Sequence, residues 1–367
     1  MKFTCEKALL VSAISVAGRT VSPKSTIPCL EGILLRAGVG VQLTGFNLET
    51  GITVKVEADV KEAGVCVMPA RLFFDIIRKL PDEEVTVEVD DKLQVSIRGG
   101  VSSFKITAMD AEDYPELPEV NAEQGIAIPQ QALRELIGGT IFSASENQAR
   151  PVLTGCLIEV EDSGVTMVAV DGIRLARRTW HSEEPLGRTE KFIVPASGLR
   201  EVEKILSETD EPAIFTLGAK HILFEIGSAT LVCRILEGDF IDWRNVMSFG
   251  RTKFLTANVA ELMSSIERVS LIVSEKVKSP VRCTFGDNIA DFRTVNTIGS
   301  AHDTCAIAGQ GGDLEIGFNC RFLLDALRAI PSEEVTLELS TGLNPIIFTP
   351  VDDKFDFAYM VLPVRLH

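Results

Sequence analysis

Residues 69 to 81 read Pro69-Ala70-Arg71-Leu72-Phe73-Phe74-Asp75-Ile76-Ile77-Arg78-Lys79-Leu80-Pro81, and residues 319 to 331 read Asn319-Cys320-Arg321-Phe322-Leu323-Leu324-Asp325-Ala326-Leu327-Arg328-Ala329-Ile330-Pro331. The two stretches align without a gap at a spacing of 250 residues (321 − 71) and share arginine, aspartate, arginine and proline. Each has the apolar spacing of an amphipathic helix and continues into a strand-like segment. The chain therefore contains repeated structural units, which have to be counted before any motif is weighed.

A third, weaker copy runs from Val194 to Leu206, at a spacing of 126 residues from the first (195 − 69). Upstream of each copy lies a short strand followed by another helical stretch. These helices are expected over Lys7 to Val16, Gln130 to Ile137 and Val259 to Val269. Alternating strands follow each helix. The pattern predicts a β-α-β-β-β module that occurs twice in each domain and six times in the chain.

The repeat predicts three similar domains, 1–120, 121–247 and 248–367, with boundaries in turn-rich stretches. The fold class is α+β, with helices packed on antiparallel sheets. A solenoid is the alternative for a repeat, but solenoid periods are about 20 to 50 residues. Whole domains joined edge to edge fit the longer spacing better, and rotationally related domains tend to close into rings.

The composition is that of a globular chain, with 46% hydrophobic and 24% charged residues. The first residues carry charge before any apolar run of signal-peptide length, and no stretch of about 18 apolar residues occurs. The eight cysteines lie among apolar neighbours without a C-x-x-C pair, which favours free buried thiols over disulfides or zinc. We therefore expect a cytoplasmic protein without a membrane partner.

Basic residues recur on equivalent helices although the net charge is −16. The pairs are Arg71 and Arg78, Arg200 and Lys204, and Arg321 and Arg328. An acidic protein does not coat nucleic acid over its whole surface. On one helix a solvated face is the simpler interpretation. Recurrence in three copies favours a sequence-independent surface for phosphates.

An enzyme is the strongest competing class. The chain has four histidines, none in a ligand or nucleophile motif, and no G-x-x-x-x-G-K-[ST] phosphate loop. The acidic runs at 110–113 and 352–353 are more typical of solvated turns than of metal sites. We expect no catalytic residue, no metal and no cofactor. A ring or scaffold that binds proteins without DNA is the second alternative, and the basic helices are the feature that argues against it.

Several motifs together identify a resemblance that covers the full length of the chain. They are Met1 to Thr4, Ser25 to Gly32, Pro69 to Asp75, Val170 to Ala176 and Met360 to Leu366. In these motifs, in this order, the chain resembles the bacterial DNA polymerase III beta subunits, the sliding clamps. The resemblance implies a non-catalytic processivity factor, a head-to-tail homodimer whose six domains close into a ring around double-stranded DNA. It places the helices inside and the sheets outside.

The resemblance also implies a hydrophobic peptide-binding cleft between the second and third domains. Its partners would be the DNA polymerase III alpha subunit, the clamp loader, and other polymerases and repair proteins with short clamp-binding motifs. The cleft maps onto Leu153, Val170, Gly172, Ile173, Arg174, Leu175, Ile241, Val246, Met360, Leu362, Pro363, Val364 and Arg365. Ile173, Ile241 and Asn245 replace a histidine, a proline and an arginine that are common in the family, so a more apolar cleft is expected.

By the same mapping, DNA contacts and a dimer seam can be assigned. DNA-contact positions fall on Lys24, Asn147, Arg150 and Lys204, with Ser197 in place of a typical lysine. The seam falls on Phe104 and Ile106 of one chain, facing Ile272 and Val273 of the other. Exposed edge strands with such apolar side chains would otherwise promote aggregation. One residue, His367, extends beyond the usual terminal leucine.

Overall fold

The computed structural model describes residues 1–120, 125–273 and 279–366. His367 lies outside these ranges, as do residues 121 to 124 beside the first expected domain boundary. In the described part of the chain, no helix is both long enough and apolar enough to cross a membrane.

Seven α-helices occur in the described residues, and six of them occupy the helical stretches that the repeat predicts. They are α1 (Lys7–Ala17), α2 (Ala70–Lys79), α3 (Gln130–Gly138), α4 (Ala196–Ile205), α5 (Trp243–Val246), α6 (Val259–Ser270) and α7 (Cys320–Arg328). Asparagines begin the last two. The side-chain oxygens of Asn258 and Asn319 accept hydrogen bonds from the backbone N–H groups of Glu261 and Arg321, both at 3.0 Å. Each bond satisfies a donor that a helix start leaves unpaired.

The strands follow the helices in a regular order. They are β1 (Lys2–Glu6), β2 (Gly32–Ala37), β3 (Val41–Phe46), β4 (Thr50–Val56), β5 (Asp59–Glu62), β6 (Gly64–Pro69), β7 (Glu84–Val89), β8 (Gln94–Gly99), β9 (Ser102–Thr107), β10 (Ile126–Pro129), β11 (Gly155–Glu161), β12 (Gly164–Val170), β13 (Arg174–His181), β14 (Glu190–Pro195), β15 (Pro212–Leu217), β16 (His221–Ile226), β17 (Ala229–Arg234), β18 (Lys253–Asn258), β19 (Val281–Val295), β20 (Ser300–Phe318), β21 (Glu334–Leu339), β22 (Ile346–Pro350) and β23 (Phe357–Val361).

Four of the six expected modules have the predicted form: β1-α1-β2-β3-β4, β6-α2-β7-β8-β9, β10-α3-β11-β12-β13 and β14-α4-β15-β16-β17. In the third domain β19 and β20 are long strands, each covering what two strands cover elsewhere. Their pairing shifts register around Asp287. Such an irregularity bends a long strand pair. β20 then leads into α7 and the last three strands, as the sixth module requires.

The chain forms two compact units. Unit 1 comprises Met1–Leu133 and Arg200–Ile235, and unit 2 comprises Arg134–Leu199 and Leu236–His367. Unit 1 contains a five-stranded sheet, β5-β1-β7-β8-β9, and an eight-stranded sheet, β10-β15-β16-β17-β4-β3-β2-β6. Unit 2 contains the ten-stranded sheet β14-β11-β12-β13-β23-β22-β21-β18-β20-β19. The two units do not coincide with the three repeated domains, whose boundaries at 120/121 and 247/248 stay a prediction.

A turn that recurs once in each domain confirms the threefold repeat. Between β3 and β4, Oδ1 of Asn47 accepts hydrogen bonds from the backbone N–H groups two and three residues later, at 3.0 and 2.7 Å. Asp171 makes the same pair of bonds between β12 and β13, both at 2.9 Å. Asn296 repeats it between β19 and β20, at 2.8 and 3.2 Å. An Asn or Asp side chain that bonds the backbone ahead fixes a tight turn.

Single β-bridges recur with the same spacing. Val67 bridges Met109, Ile193 bridges Leu236, and Gly317 bridges Val364. In each case a residue near the end of the strand that precedes the second helix of the repeat is bridged to the segment that follows the last strand of the domain. Each of the three domains is therefore closed by the same contact.

The amphipathic pattern of α2 gives a buried face, with one exception. Phe73, Ile76 and Ile77 are buried, and Leu80 just beyond the helix is buried as well. Leu72, which the sequence pattern assigns to the same stripe, is 47% exposed. The prediction for Leu72 is wrong because a helix of 3.6 residues per turn carries this position toward the edge of the apolar face.

The eight cysteines are free and buried, as their apolar neighbours predict. Burial raises the pKa values of the Cys66 and Cys233 thiols to about 12. Buried thiols of this kind behave as small apolar side chains that pack and do not react.

Candidate functional site

The residues assigned to the cleft all belong to unit 2, where those with buried side chains form a floor. This floor is one hydrophobic cluster that includes Leu153, Val170, Leu175 and Met360. Leu175 and Met360 face each other in the pairing of β13 with β23. These four residues can belong both to the packed core and to a binding site, since the floor of a site has to be packed to hold its shape.

Exposed apolar side chains surround this floor. Ile173 is 44% exposed, Val246 is 42% exposed and Val364 is 40% exposed. Ile241 and Leu362 are partly buried and pack against the floor cluster. Pro363 is partly buried and Arg365 is exposed. The thirteen assigned positions thus divide into a buried floor and an accessible rim, which is the arrangement of a shallow apolar binding surface.

Backbone geometry presents the rim at the turn between β12 and β13. Gly172 has a φ of +94°, a conformation that favours glycine. The Asp171 side chain holds the backbone N–H groups of Ile173 and Arg174 at this turn. The Ile173 carbonyl in turn accepts a hydrogen bond from the Leu362 N–H at 2.9 Å. The C-terminal segment is therefore tied directly to the turn.

Arg174 is nearly buried and makes contacts in three directions. Its Nε donates to Oδ2 of Asp171 at 2.9 Å and its Nη1 donates to Oδ2 of Asp325 at 2.6 Å. Its guanidinium also lies over the ring of Phe322, 4.6 Å from the centroid, and 5.7 Å from that of Phe142. A planar guanidinium can pair with carboxylates and stack on rings at once. Arg174 is thus fixed in place rather than free to reach a ligand.

The short helix α5 forms one side of the rim and is held by Glu159 of β11. This carboxylate accepts hydrogen bonds from Nε1 of Trp243 and Nη1 of Arg244, both at 3.2 Å, and Nζ of Lys191 lies 3.4 Å away. Burial acts to raise the pKa of Glu159, but the hydrogen bonds and positive charge of Arg244, with the bonds from Trp243 and Lys191, outweigh it and lower the pKa. Sequence reasoning missed this cluster. Its signal was a tryptophan in a turn-rich segment.

The residues assigned to DNA contact, all basic except Asn147, are exposed. They are Lys24, Arg71, Arg78, Asn147, Arg150, Arg200, Lys204, Arg321 and Arg328. Three of them have an acidic partner three residues earlier on the same helix. Asp75 pairs with Arg78 at 3.4 Å, Glu201 with Lys204 at 2.7 Å, and Asp325 with Arg328 at 3.8 Å. The acidic partner occupies the same position in all three copies, so part of the basic charge is balanced locally.

Arg71 and Arg321 lie seven residues before Arg78 and Arg328, and they differ from these two arginines in their ion pairing. Across the described residues, neither of them forms an ion pair. Ser197 occupies the matching position on α4 and is exposed without a charge. Unbalanced positive charge therefore lies at the N-terminal ends of these helices in the first and third domains, whereas on α4 the exposed arginine without an ion pair in the described residues is Arg200.

The residues assigned to the seam lie on exposed structure. β9 is the edge strand of its sheet, and its Phe104 is 39% exposed. Ile106, Ile272 and Val273 are partly buried. The Ile272 carbonyl accepts a hydrogen bond from Nδ2 of Asn296 at 2.8 Å, which fixes the chain after α6.

The described residues contain no group of three or more His, Cys, Asp or Glu side chains that could hold a metal ion. His181 and His302 each pair with one aspartate, Asp356 at 2.9 Å and Asp291 at 2.5 Å. Buried cysteines with raised pKa values are inert. Three repeated α+β domains, a partly exposed apolar surface in unit 2 and basic side chains on equivalent helices are features of a clamp-type binding protein.

Comparisons with known proteins agree with this class. Family models of the DNA polymerase III beta subunit match the N-terminal domain at residues 1–118, the central domain at 127–242 and the C-terminal domain at 244–365. A beta sliding clamp of Staphylococcus epidermidis is 30% identical over the whole of both chains. The solved sliding clamp of Bacillus subtilis superposes with a TM-score of 0.94 at 28% identity, covering 100% of each chain. A Pseudomonas aeruginosa clamp bound to griselimycin gives 0.94 at 29% identity, also over 100% of each chain.

The chain belongs to the DNA polymerase III beta subunit family, the bacterial beta sliding clamps. It consists of three clamp domains with antiparallel sheets, and it is a non-catalytic processivity factor of DNA replication. Its family binds DNA and polymerase partners.

Proposed function

We propose that this protein acts as a head-to-tail homodimer that closes around double-stranded DNA and tethers replication and repair proteins through the cleft of unit 2. The observation that carries the proposal is a strand pairing between neighbouring domains. The last strand of the second domain and the last strand of the third each pair with a strand of the domain before. In the described residues, the last strand of the first domain has no such partner. We also propose the two boundaries of the three domains, at 120/121 and 247/248, and a cytoplasmic location.

The internal junctions have one plan. β17, which ends the second domain, pairs with β4, and β23, which ends the third, pairs with β13. β9 ends the first domain, and in the described residues it pairs only with β8. The counterpart of β4 and β13 in the third domain is the first part of β20, where residues 300 to 305 pair with β19 alone as far as the chain is described. β9 of one chain can join β20 of a second chain, and two such contacts close a dimer.

The internal pairing also supports a register for this seam. Leu231 of β17 lies opposite Ile52 of β4 and is buried. By the spacing of the hairpins, Phe104 corresponds to Leu231, and by the recurring turn Ala301 corresponds to Ile52. We propose that Phe104 of one chain lies opposite Ala301 of the other, because its exposed ring then gains the burial that Leu231 has.

A cavity beside the open edge of β20 supports the same seam. It has a volume of ≈ 460 Å³ and lies between α6 and β20, lined in part by Glu261, Arg268 and Cys305. Its lining is mixed polar and apolar. We propose that it receives side chains of the partner's first domain.

The cleft would take a short extended peptide whose leucine and phenylalanine side chains rest on the floor cluster. Proposed partners are the polymerase III alpha subunit, the clamp loader, and other polymerases and repair proteins with such motifs. An exposed rim around a packed apolar floor is the usual anatomy of an energetic anchor site. Ile173 and Ile241 make the rim more apolar than the family pattern, so anchoring should depend on apolar burial more than on hydrogen bonds.

DNA would be contacted weakly and without base recognition, through exposed Lys and Arg side chains on the helices. Retention of a closed ring depends on its topology, so it does not require tight phosphate binding. Acidic neighbours that partly balance the basic side chains fit a surface that binds DNA weakly and can slide along it.

The test is retention on circular DNA. Purified protein is loaded by the cognate clamp loader onto nicked circular DNA, and bound protein is measured by gel filtration before and after the circle is cut once. Loss of the bound protein from the linear form supports a ring, because free ends allow it to slide off. Equal retention on both forms would refute encirclement.

A further inference from the structure

Glu159 is a buried carboxylate at the border of the cleft floor. Alternate residues of a strand share a face, so Glu159 lies on the same side of β11 as Leu157, which belongs to the floor cluster. The residue is 7% exposed and accepts hydrogen bonds from Trp243 and Arg244. A carboxylate this deeply buried is costly unless donors satisfy it, so these contacts have to be kept for the fold to be stable here.

The segment that Glu159 holds has little stability of its own. α5 has four residues, and a helix of this length is not stable in isolation. Asp242 caps its start, accepting from the N–H and the side chain of Asn245 at 3.3 and 2.6 Å. The Arg244 guanidinium stacks on the Trp243 ring at 4.2 Å. These contacts order the turn internally, whereas Glu159, together with the packing of Trp243 and Met247 on the floor cluster, joins it to the sheet.

The contact between Glu159 and α5 is a departure from the threefold repeat. By the spacing of β2, β11 and β19, the residues that correspond to Glu159 are Arg36 in the first domain and Thr284 in the third. Arg36 is exposed and Thr284 is partly buried. A buried carboxylate at this strand position therefore occurs in the middle domain and not at its two counterparts, and the middle domain is the one that supplies most of the proposed cleft.

We propose that Glu159 is a positioning residue that fixes α5 as one wall of the peptide-binding cleft. The inference rests on the proposed peptide-binding function and names a residue outside the cleft on which it depends. Ile241 lies just before α5 and Val246 lies at its end, so both move with it. A wall that is ordered before the peptide arrives lowers the entropy that binding has to offset.

The experiment uses the full-length protein with Trp180→Phe, which leaves Trp243 as the sole tryptophan of two. Affinity is measured by fluorescence anisotropy with a fluorescein-labelled synthetic decapeptide that carries two leucines and one phenylalanine as apolar anchors. Glu159→Gln keeps the shape of the side chain and removes its charge. We expect it to weaken peptide binding by about tenfold, the loss of a charge-assisted hydrogen bond. We also expect a red shift of Trp243 emission in the free protein.

Glu161→Gln is the matched control. Glu161 lies two residues further along β11, its side chain is 62% exposed, and it stands 3.9 Å from Arg244. Its substitution should change neither affinity nor emission. A Glu159→Gln protein with the control's affinity and emission would overturn the proposal, and so would an equal loss of affinity in both variants.

Trp243→Phe provides a second, independent variant because it removes the N–H donor and keeps an aromatic ring. It should also weaken peptide binding, while the mass of the dimer stays unchanged. Unchanged peptide affinity would count against a role of Glu159 in positioning α5. Failure of the underlying function is distinguishable, because the parent protein itself would then bind no peptide.

Discussion

Arg174 and Asp325 join the rim of the cleft to a basic helix through a hydrogen bond of 2.6 Å. Arg174 begins β13 beside the turn that presents Ile173. Asp325 lies on α7, one turn before Arg328, and approaches it at 3.8 Å. One carboxylate thus faces a residue of the proposed peptide site and a residue of the proposed DNA surface. The two surfaces meet at this side chain.

Asp325→Asn should destabilise the protein by about 1–3 kcal/mol, because Arg174 would keep a buried charge with one carboxylate fewer. Thermal unfolding followed by circular dichroism measures the effect. Asp75→Asn is the control, since Asp75 occupies the matching position on α2 and, among the described residues, pairs only with the exposed Arg78. Its effect should stay within about 0.5 kcal/mol. Equal losses would show that the Arg174 contact contributes nothing.

Removing residues 363 to 367 should abolish peptide binding and leave the dimer intact. Pro363 and Val364 lie in the rim, whereas the proposed seam is elsewhere. The truncation keeps Met360 and Val361, which are buried in β23, but it removes the Gly317–Val364 bridge, so thermal unfolding has to show that the truncated protein stays folded. Anisotropy with the labelled decapeptide and sedimentation equilibrium measure the two properties. Retained peptide affinity would contradict the cleft assignment.

Ile272→Asp should raise the dissociation constant of the dimer by roughly a hundredfold or more, because it would bury an unpaired charge in the seam. Analytical ultracentrifugation over a dilution series detects the monomer. Leu343→Asp is the matched control, since Leu343 is an apolar residue of unit 2 that is 80% exposed in a loop. A dimer equally resistant in both variants would place the seam elsewhere.

Arg321→Gln should reduce the salt dependence of DNA binding more than Arg328→Gln. Arg328 already pairs with Glu267 at 2.9 Å and must exchange that partner for a phosphate. Each lost phosphate contact lowers the slope of log K against log salt by about 0.9. Binding to short linear duplexes at several NaCl concentrations gives the slopes. Equal slopes for both variants would mean that the local acidic partner has no influence.

The cysteines should resist thiol reagents in the native state. Burial raises the pKa of Cys5 and Cys66 to about 12, so thiolate is scarce at pH 8. Because these folded-state values exceed the unfolded value of about 8.5, the thiols favour folding less as the pH rises above about 8.5. Titration with Ellman's reagent should detect no fast-reacting thiol at pH 8, and all eight cysteines in guanidinium chloride. Fast native labelling would contradict their burial.

The helices and their repetition were predictable because they depend on local spacing. Asp75 and Asp325 lie on helices whose apolar residues recur with the helical period, and this period can be read directly from the sequence. The turn at Asp171-Gly172 also carries a local signal. The exposure of Leu72 was missed, although the helical period itself places this residue at the edge of the apolar face.

The sequence by itself determined three copies of an α+β domain, the basic faces of their helices and, through motifs, the family. Only the tertiary structure decided that Glu159 meets Trp243, 84 residues away, and that Arg174 meets Asp325, 151 residues away. It also decided that, within the part of the chain that the structure describes, β9 and the start of β20 each have one edge without a partner strand. Such contacts depend on which strands pair and in what register, and pairing is set by burial across the whole sheet instead of by neighbours along the chain.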